Sequence, residues 1–259
     1  MMHKKKELLE ELLNDLPSAG IAYSAGVDST FLLKVAHDVL GDKAAAFMVR
    51  SVVIPSSDIE EAQAFCDAEG IRLIVIDGDP LSIPRFRENP ENRCYICKKS
   101  LFGNMLYEAA KYGITTLMDG TNADDDMDDR PGMKALAELK IRSPLREAGL
   151  TKDEIRQLSE EMNLPTARKA SFACLATRIP HGDEITPDKL KRIEAAEDYL
   201  SKIGFTQYRV RTHGDLARIE VLPSEFHKIR DGEVRKDVSG YLKSLGYKYV
   251  ALDLTGYGG

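Results

Sequence analysis

Ser24-Ala25-Gly26-Val27-Asp28-Ser29 is the stretch of sequence that decides the fold. It follows a short apolar run, 20–24, which predicts a buried strand, and it precedes an amphipathic run ended by Gly41, which predicts a helix. In an open parallel sheet, such a strand-to-helix turn lies at the carboxyl end of the strand, where ligands bind. Small residues there let the backbone approach an anion, and the helix N-terminus offers N–H groups and a positive dipole end. The hexapeptide therefore predicts a phosphate-binding loop in an α/β fold.

Single residues of this loop refine the prediction. The Ser24 and Ser29 hydroxyls add donors, whereas the Asp28 carboxylate would repel a phosphate unless it met a metal ion or a cationic group. The loop lacks the lysine of a Walker-type GxxxxGK loop, which disfavours the NTPases built on that motif. A tight turn with an N-cap serine is the alternative. The position of the loop directly after the first strand favours phosphate binding.

Strand and helix patterns alternate through most of the chain. Apolar runs at 44–49, 73–76 and 116–119 predict further buried strands, with helices between them, as in a doubly wound parallel sheet. A segment with three prolines, 77–97, predicts a long functional loop before the helix that we expect from about Lys98.

The pattern changes near Pro180. A helix is predicted from Pro187, and two strand-like runs, 208–212 and 217–222, follow it on either side of a short turn. Such a hairpin belongs to an α+β arrangement. We therefore predict a parallel-sheet domain over 1–183 and a small α+β domain over 184–259.

Composition limits the classes of function. The 259 residues carry 42 acidic and 36 basic side chains, a net charge of −6, which argues against general binding to nucleic acid through a basic face. No apolar run approaches the ~18 residues of a membrane helix, and the basic start lacks the apolar segment of a signal peptide. We expect a soluble cytoplasmic protein.

Four cysteines are too few for a disulfide scaffold. Cys94-Tyr95-Ile96-Cys97 alone predicts a redox pair or half of a zinc site, and the chain has no second CxxC for a four-cysteine ribbon. With Cys174, three thiolates can hold a [4Fe–4S] cluster that keeps one iron open. Cys66 lies in an amphipathic helix pattern and is expected to be a buried, inert thiol. Cations near the thiols in sequence would favour the thiolate form: Arg93, Lys98, Lys99, Lys169 and Arg178.

The loop resembles the SGGxDS signature of the PP-loop ATP pyrophosphatases, with Ala25 in place of the second glycine. A positive φ at this alanine would be disfavoured. Further segments follow in order: 119–125, Arg142-Ser143-Pro144-Leu145, 174–178 and Ala217-Arg218-Ile219-Glu220. The ordered set, over nearly the whole chain, is similar to the LarE family of ATP-dependent sulfur transferases in nickel-pincer nucleotide synthesis.

The resemblance implies a reaction. The family adenylates a carboxylate of pyridinium-3,5-biscarboxylic acid mononucleotide with ATP and converts it to a thiocarboxylate. Some members sacrifice the sulfur of a cysteine that matches Cys174, leaving dehydroalanine. Others use three cysteines and a [4Fe–4S] cluster, and Cys94, Cys97 and Cys174 put this chain with that kind. We predict that these three thiols converge in space.

The resemblance also implies roles for other residues. The ATP-binding set would be Ser24, Ala25, Gly26, Val27, Asp28, Ser29, Gly120 and Asp124. Asp28 and Cys174 would be catalytic, and Asp124, in an acidic loop that runs to 129, would lie near the Mg²⁺ that adenylation needs. Arg142 and Arg178 are candidates for binding phosphate or substrate carboxylates. Glu197 and Glu220 are candidates for a second metal site.

We also expect a homo-oligomer acting on a small-molecule nucleotide. The physical motive is that the small domain carries more large aromatic residues than its own core needs, namely Phe205, Tyr208, Tyr241 and Tyr247. Two alternative functions stay open. A tRNA thiolase uses the same chemistry, but the acidic charge makes a tRNA partner a poor fit. An ATP-binding iron–sulfur or zinc sensor would release no pyrophosphate.

Overall fold

A computed structural model describes residues 1–125, 131–170 and 173–258. The chain forms two compact units. The first comprises Met1–Ile83 and Asn92–Phe172, and the second comprises Pro84–Glu91 and Ala173–Gly259. None of the helices in the described ranges combines the length and apolarity that crossing a bilayer requires.

The second unit begins before the predicted residue 184 and takes in an early segment of the chain. The Asn89 side-chain amide, fully buried, donates to the carbonyl oxygens of Ile179 at 3.1 Å and Pro180 at 2.6 Å. The Ile185 N–H donates to the Arg87 carbonyl oxygen at 2.8 Å. These bonds attach Pro84–Glu91 to residues near 180, which periodicity within one segment cannot predict.

Four parallel strands form the sheet of the first unit, as the alternating pattern predicts. They are β1 (Ala19–Ala22), β2 (Ala44–Arg50), β3 (Arg72–Asp77) and β4 (Leu117–Met118), in the order β3-β2-β1-β4. The helices are α1 (Met2–Asn14), α2 (Val27–Leu40), α3 (Ser56–Glu69), α4 (Arg93–Lys111), α5 (Pro131–Glu138), α6 (Pro144–Glu147) and α7 (Lys152–Glu161).

Strand β2 shows why the sheet is covered on both faces. Its first six residues are buried, and alternate side chains enter two separate cores. Ala46 and Met48 pack with α1, α2, α3 and α7, whereas Phe47 and Val49 pack with α4 and α5. From β1, the chain continues to β2 and β3 on one side and later to β4 on the other side. At such a switch point, the loops that follow the two neighbouring strands β1 and β4 leave a crevice for a ligand.

The second unit is an α+β fold, as predicted. It contains α8 (Pro187–Lys202), β5 (Tyr208–His213), β6 (Leu216–Val221), α9 (Phe226–Arg230), α10 (Gly232–Ser244) and β7 (Tyr249–Leu252). Strands β5 and β6 form the expected antiparallel hairpin, whose turn holds Gly214 at φ +57°, and β7 pairs in parallel with β6.

The aromatic residues that motivated an oligomer belong to the unit's own core. Phe205 and Tyr247 are 4% and 2% exposed, and Tyr208 and Tyr241 are half-buried against the same cluster. The Tyr241 ring stacks on that of Tyr199, with centroids 4.2 Å apart. The aromatic count therefore gives no physical reason for a homo-oligomer, and assembly stays a prediction.

Candidate active site

The 24–29 loop connects strand β1 to helix α2, which begins at Val27. The Ser24 N–H donates to the Ser29 hydroxyl oxygen at 3.2 Å, and the two serine hydroxyls are 3.1 Å apart. The Ser29 hydroxyl also lies 3.2 Å from the Gly26 carbonyl oxygen, to which it donates. These bonds close the loop on itself at the helix N-terminus, where N–H groups and the helix dipole favour an anion.

Ala25 has the positive φ that is unfavourable for alanine and favourable for glycine. Its φ is +53°, in the left-handed region, and its side chain is buried. The loop accepts an L-residue there at a cost in strain.

Gly120 brings the loop after β4 against the first loop. A Cβ at Gly120 would lie 3.0 Å from the Ser29 backbone nitrogen, 3.2 Å from the Ser29 Cα and 3.3 Å from the Asp28 carbonyl carbon. Because all three atoms are backbone, this approach needs a glycine. The predicted residues of the two loops therefore lie together at the switch point.

A lysine meets Asp28 at the start of helix α2. The Lys152 Nζ lies 2.5 Å from Asp28 Oδ2, and the Asn122 side-chain amide lies 3.5 Å from Asp28 Oδ1. The Lys152 backbone N–H donates to Asp124 Oδ2 at 2.7 Å. Lys152 thus contacts both carboxylates that the sequence assigns to the nucleotide, and it is the cationic group that Asp28 requires.

Sequence reasoning missed Lys152 as a site residue. Thr151 caps α7 and exchanges hydrogen bonds with Glu154, which together form a capping box. The box fixes Lys152 as the first residue of the helix. Nothing local to the sequence indicates that this position faces a loop 124 residues earlier.

The loop after β4 uses its carboxylates within the protein. The Asn122 N–H donates to Asp125 Oδ2 at 3.1 Å, and the Arg146 guanidinium donates to the Asp125 carbonyl oxygen at 2.6 Å. The remaining predicted acids of this loop lie outside the described residues: Asp126, Asp128 and Asp129.

Arg142 lies beside β4 but directs its side chain to an acid. Its backbone bridges to Met118, which extends the sheet. Its guanidinium is paired with the Glu147 carboxylate, whose hydrogen bond raises the pKa of Arg142. A phosphate or a substrate carboxylate would have to compete with this ion pair.

The CxxC motif lies in a helix rather than in the predicted loop. Helix α4 begins at Arg93, so Cys94 and Cys97 lie within its first two turns and share a face. The last of the three prolines, Pro90, precedes the helix and leaves it unobstructed. Cys94 is exposed and Cys97 is half-buried, and all four cysteines are thiols.

Most of the cations near these thiols in sequence are paired with acids. Lys99 binds Glu138 at 2.7 Å, and Lys169 binds both Asp58 at 2.8 Å and Glu61 at 2.6 Å. Their charge is therefore committed to carboxylates, which weakens the expectation that they stabilise thiolates. Cys66 is fully buried, and this burial raises the pKa of its thiol to about 12, as befits a core cysteine.

In the second unit, Arg178 anchors the turn that follows Cys174. It is fully buried, and its Nε and Nη2 donate to the two Glu197 carboxylate oxygens at 2.8 Å each. Its Nη1 donates to the carbonyl oxygens of Ala173 at 2.7 Å and Cys174 at 3.3 Å, and to the Thr177 hydroxyl at 2.9 Å. These bonds engage every guanidinium nitrogen and give Arg178 a positioning role, and its contact with substrate stays a prediction.

Glu197 and Glu220 form ion pairs with arginines in this structure. Glu197 Oε1 also accepts the Val210 N–H at 2.9 Å. Arg211 donates to Glu220 at 2.5 Å and 3.1 Å, and its Nη1 donates to the Thr177 carbonyl oxygen at 3.1 Å. Both glutamates thus hold arginines that hold the 174–178 turn. This arrangement differs from the predicted metal site, because an arginine leaves less room for a cation on the same oxygens.

The described residues contain no group of three or more His, Cys, Asp or Glu side chains arranged to hold a metal ion. Cys94 and Cys97 belong to the first unit and Cys174 to the second. The convergence of the three thiols stays a prediction.

Comparisons with known proteins identify the family. An uncharacterised protein of Synechocystis sp. is 40% identical over 257 residues, which cover 99% of this chain and 96% of the relative. The pyridinium-3,5-bisthiocarboxylic acid mononucleotide synthase of Lactiplantibacillus plantarum is 36% identical over 255 residues, 98% of this chain and 91% of the relative. One subunit of the glutamine-hydrolysing GMP synthase of Pyrococcus furiosus is 27% identical over 227 residues, 80% and 71% of the two chains. A scan against protein-family models found no match.

The parallel sheet and its first loop define an α/β enzyme of the PP-loop class, in agreement with the likeness to GMP synthase subunits. Within that class, the chain belongs to the LarE family of ATP-dependent sulfur transferases.

Proposed function

We propose that this enzyme uses ATP to adenylate a carboxylate of pyridinium-3,5-biscarboxylic acid mononucleotide and replaces its oxygen with sulfur. The observation that carries the proposal is the contact of Lys152 with Asp28 and Asp124 at the N-terminus of α2. It joins a cation, two hard-oxygen carboxylates and a helix N-terminus at the switch point of the sheet. A polyphosphate needs such a combination of groups.

The phosphates would lie on the 24–29 loop. Backbone N–H groups at the start of α2 and the two serine hydroxyls donate to phosphate oxygens, and the Lys152 ammonium reaches a further one. Asp28 and Asp124 would hold Mg²⁺ together with the phosphates, which matches the habit of Mg²⁺ to use one or two carboxylates. Bound Mg²⁺ offsets the negative charge that Asp28 would otherwise direct at the nucleotide.

The chemistry takes two substitutions. A substrate carboxylate oxygen attacks the α-phosphorus of ATP, the bond to the bridging oxygen breaks, and pyrophosphate leaves. A sulfur nucleophile then attacks the acyl carbon, and AMP departs with the electrons of the carbon–oxygen bond. Sulfide as the nucleophile leaves a thiocarboxylate, whereas a cysteine thiolate leaves a thioester whose Cβ–S bond must still break. Donors that bind the tetrahedral oxyanion lower the barrier of this second step.

We further propose that Cys174 is the sulfur-handling residue and that Cys94 and Cys97 assist it. The turn after Cys174 is held through its carbonyl oxygens by Arg178 and Arg211, which supports a fixed position for this residue. If Cys174 donates its own sulfur, its Cβ–S bond breaks with loss of the Cα proton, and dehydroalanine remains. If a cluster carries the sulfur, all three thiolates are required.

The nucleotide role is tested at matched positions of one helix. Asp28 and Asp38 both lie on α2 and both pair with a lysine, Lys152 and Lys34, at 2.5 Å. We expect Asp28→Asn to abolish substrate-dependent release of AMP and pyrophosphate, and Asp38→Asn to leave it unchanged. Equal activity of the two variants would remove Asp28 from the mechanism.

The sulfur source is tested under anaerobic conditions. Protein reconstituted with iron and sulfide should be brown, hold about four irons per chain as a cubane cluster implies, and lose them on Cys94→Ala, Cys97→Ala or Cys174→Ala. A colourless protein that makes one thiocarboxylate per chain and leaves dehydroalanine at position 174 would instead establish the sacrificial route.

Pyrophosphate release driven by tRNA would favour a tRNA thiolase. A cytoplasmic location and a homo-oligomeric state stay predictions, the latter to be measured by light scattering.

A further inference from the structure

A groove in the second unit is lined by none of the candidate site residues named above. It has a volume of about 550 Å³ and runs between helix α10 and strand β7. Its floor is apolar, with Val238 from the helix, Ile219 from β6, and Val250 and Leu252 from β7. The size is that of a pocket for a small molecule or a few residues of a peptide.

One wall of the groove is a sheet edge. Strand β7 is the last strand in the order β5-β6-β7 of the described residues. The Tyr249 and Asp253 N–H groups donate to carbonyl oxygens of Asp215 and Ile219, on the β6 side. Because successive residues of a strand direct their backbone groups to opposite sides, Val250 and Leu252 direct theirs to the open edge. Tyr249, 67% exposed, flanks this edge.

The rim of the groove carries one sign of charge. Its charged lining residues in the described part of the chain are Arg235, Lys236 and Lys243, with no aspartate or glutamate among them. All three side chains are exposed, and no ion pair of theirs is seen among the described residues. Lys236 and Lys243 lie seven residues apart on α10, about 10 Å along the helix axis, which equals roughly three residues of an extended chain.

Gly240 leaves the groove open at its middle. It lines the groove from inside α10, and a Cβ built on it would meet no atom within 4 Å. Packing therefore does not demand a glycine there, although glycine is a poor residue for a helix interior. Its presence keeps free the space that a side chain would fill.

We propose that this groove binds an extended, acidic peptide segment of a partner protein, which adds a strand to the edge of β7. Main-chain hydrogen bonds to Val250 and Leu252 give affinity, apolar side chains of the segment fill the floor, and its carboxylates meet the cationic rim. Strand addition beside a helix is an established mode of peptide recognition. The charge of the rim selects an acidic partner over a basic one.

The test uses a fluorescein-labelled peptide, Asp-Glu-Val-Ile-Val-Asp-Glu, and the full chain, with binding followed by fluorescence anisotropy. A control peptide replaces each acid by lysine or arginine. We expect saturable binding of the acidic peptide only. The double variant Lys236→Glu/Lys243→Glu should weaken it by roughly tenfold or more, whereas Lys191→Glu/Lys202→Glu, at exposed lysines of α8, should not.

Two further measurements separate strand addition from loose charge attraction. Gly240→Leu, which helix propensity favours, should keep the fold and abolish binding by filling the groove. N-methylation of the central isoleucine or of both valines blocks opposite edges of the peptide, so one of the two modified peptides should lose binding and the other should keep it.

Several results would overturn the proposal. They are failure of the acidic peptide to saturate at millimolar concentration, equal binding of the basic peptide, and retention of binding by both N-methylated peptides. A change of subunit number in Gly240→Leu would show that a second copy of the chain covers the groove. Binding of phosphatidylglycerol vesicles that the peptide cannot displace would assign the rim to a lipid surface.

Discussion

Replacing Gly120 by alanine should separate the two loops of the candidate ATP site. The new Cβ would lie 3.0 Å from the Ser29 backbone nitrogen, so one backbone must shift by a few tenths of an ångström. Overpacking of this kind costs about 1–3 kcal/mol. At roughly 2–4 °C per kcal/mol for a chain of this size, the melting temperature should fall by ~2–12 °C.

The same shift should reach the nucleotide. Because Ser29 lies in the first turn of the helix proposed to receive the phosphates, displacement by well under an ångström should weaken binding of a non-cleavable analogue, α,β-methylene-ATP. Misplacements near 1 Å cost up to about 100-fold in rate, so AMP formation should fall more steeply than binding. Calorimetric titration and a pyrophosphate-release assay measure the two effects.

A matched glycine supplies the control. Gly103 lies inside helix α4, and a Cβ there would meet no atom within 4 Å. Gly103→Ala should therefore stabilise the protein by about 1 kcal/mol through helix propensity and leave nucleotide binding unchanged. A Gly120→Ala protein with the melting temperature and ATP affinity of the parent would refute the contact between the loops.

Three further predictions concern single contacts. Arg178→Met should lower the free energy of unfolding by about 3–5 kcal/mol in urea denaturation, because it leaves buried Glu197 unpaired, and Arg178→Met/Glu197→Leu should recover part of that loss. Iodoacetamide at pH 8 should alkylate exposed Cys94 and spare Cys66, whose thiol has a pKa raised to about 12 by burial; peptide mass mapping that finds Cys66 labelled in the folded protein would contradict this. Ala25→Gly should raise the free energy of unfolding by about 0–1.6 kcal/mol, since relief of a left-handed alanine gains ~1–2 kcal/mol and the added unfolded-state entropy costs ~0.4–1 kcal/mol. Clear destabilisation on thermal melting would count against strain in this loop.

Most of the fold could be predicted from short-range patterns in the sequence. The alternation of apolar strands with capped helices predicts the parallel sheet, and the turn at Gly214 predicts the hairpin, because each depends on residues adjacent in sequence. The start of α4 at Arg93 was missed, since the prolines before it outweighed a weak helix signal. Boundaries of this kind depend on packing against other segments.

The candidate site also contains one part that short-range patterns predict and another part that depends on residues distant in sequence. Loop 24–29 could be predicted because its chemistry and its fold lie within six residues. The pairing of Lys152 with Asp28 joins residues 124 positions apart, and the pairing of Arg178 with Glu197 fixes a buried side chain whose partner lies in another helix. Tertiary partners decide such roles, and no period in the sequence encodes them.

The turn after Cys174 is fastened in a way that bears on the lifetime of the enzyme. Arg178 and Arg211 donate hydrogen bonds to backbone carbonyl oxygens of the turn, and these bonds do not involve the sulfur atom. A side chain mounted on such a support can be alkylated, oxidised or stripped of its sulfur while the support keeps its shape. If the enzyme consumes the sulfur of Cys174, the spent molecule would still be folded, and a protease or chaperone would have to recognise it by its chemistry rather than by its unfolding.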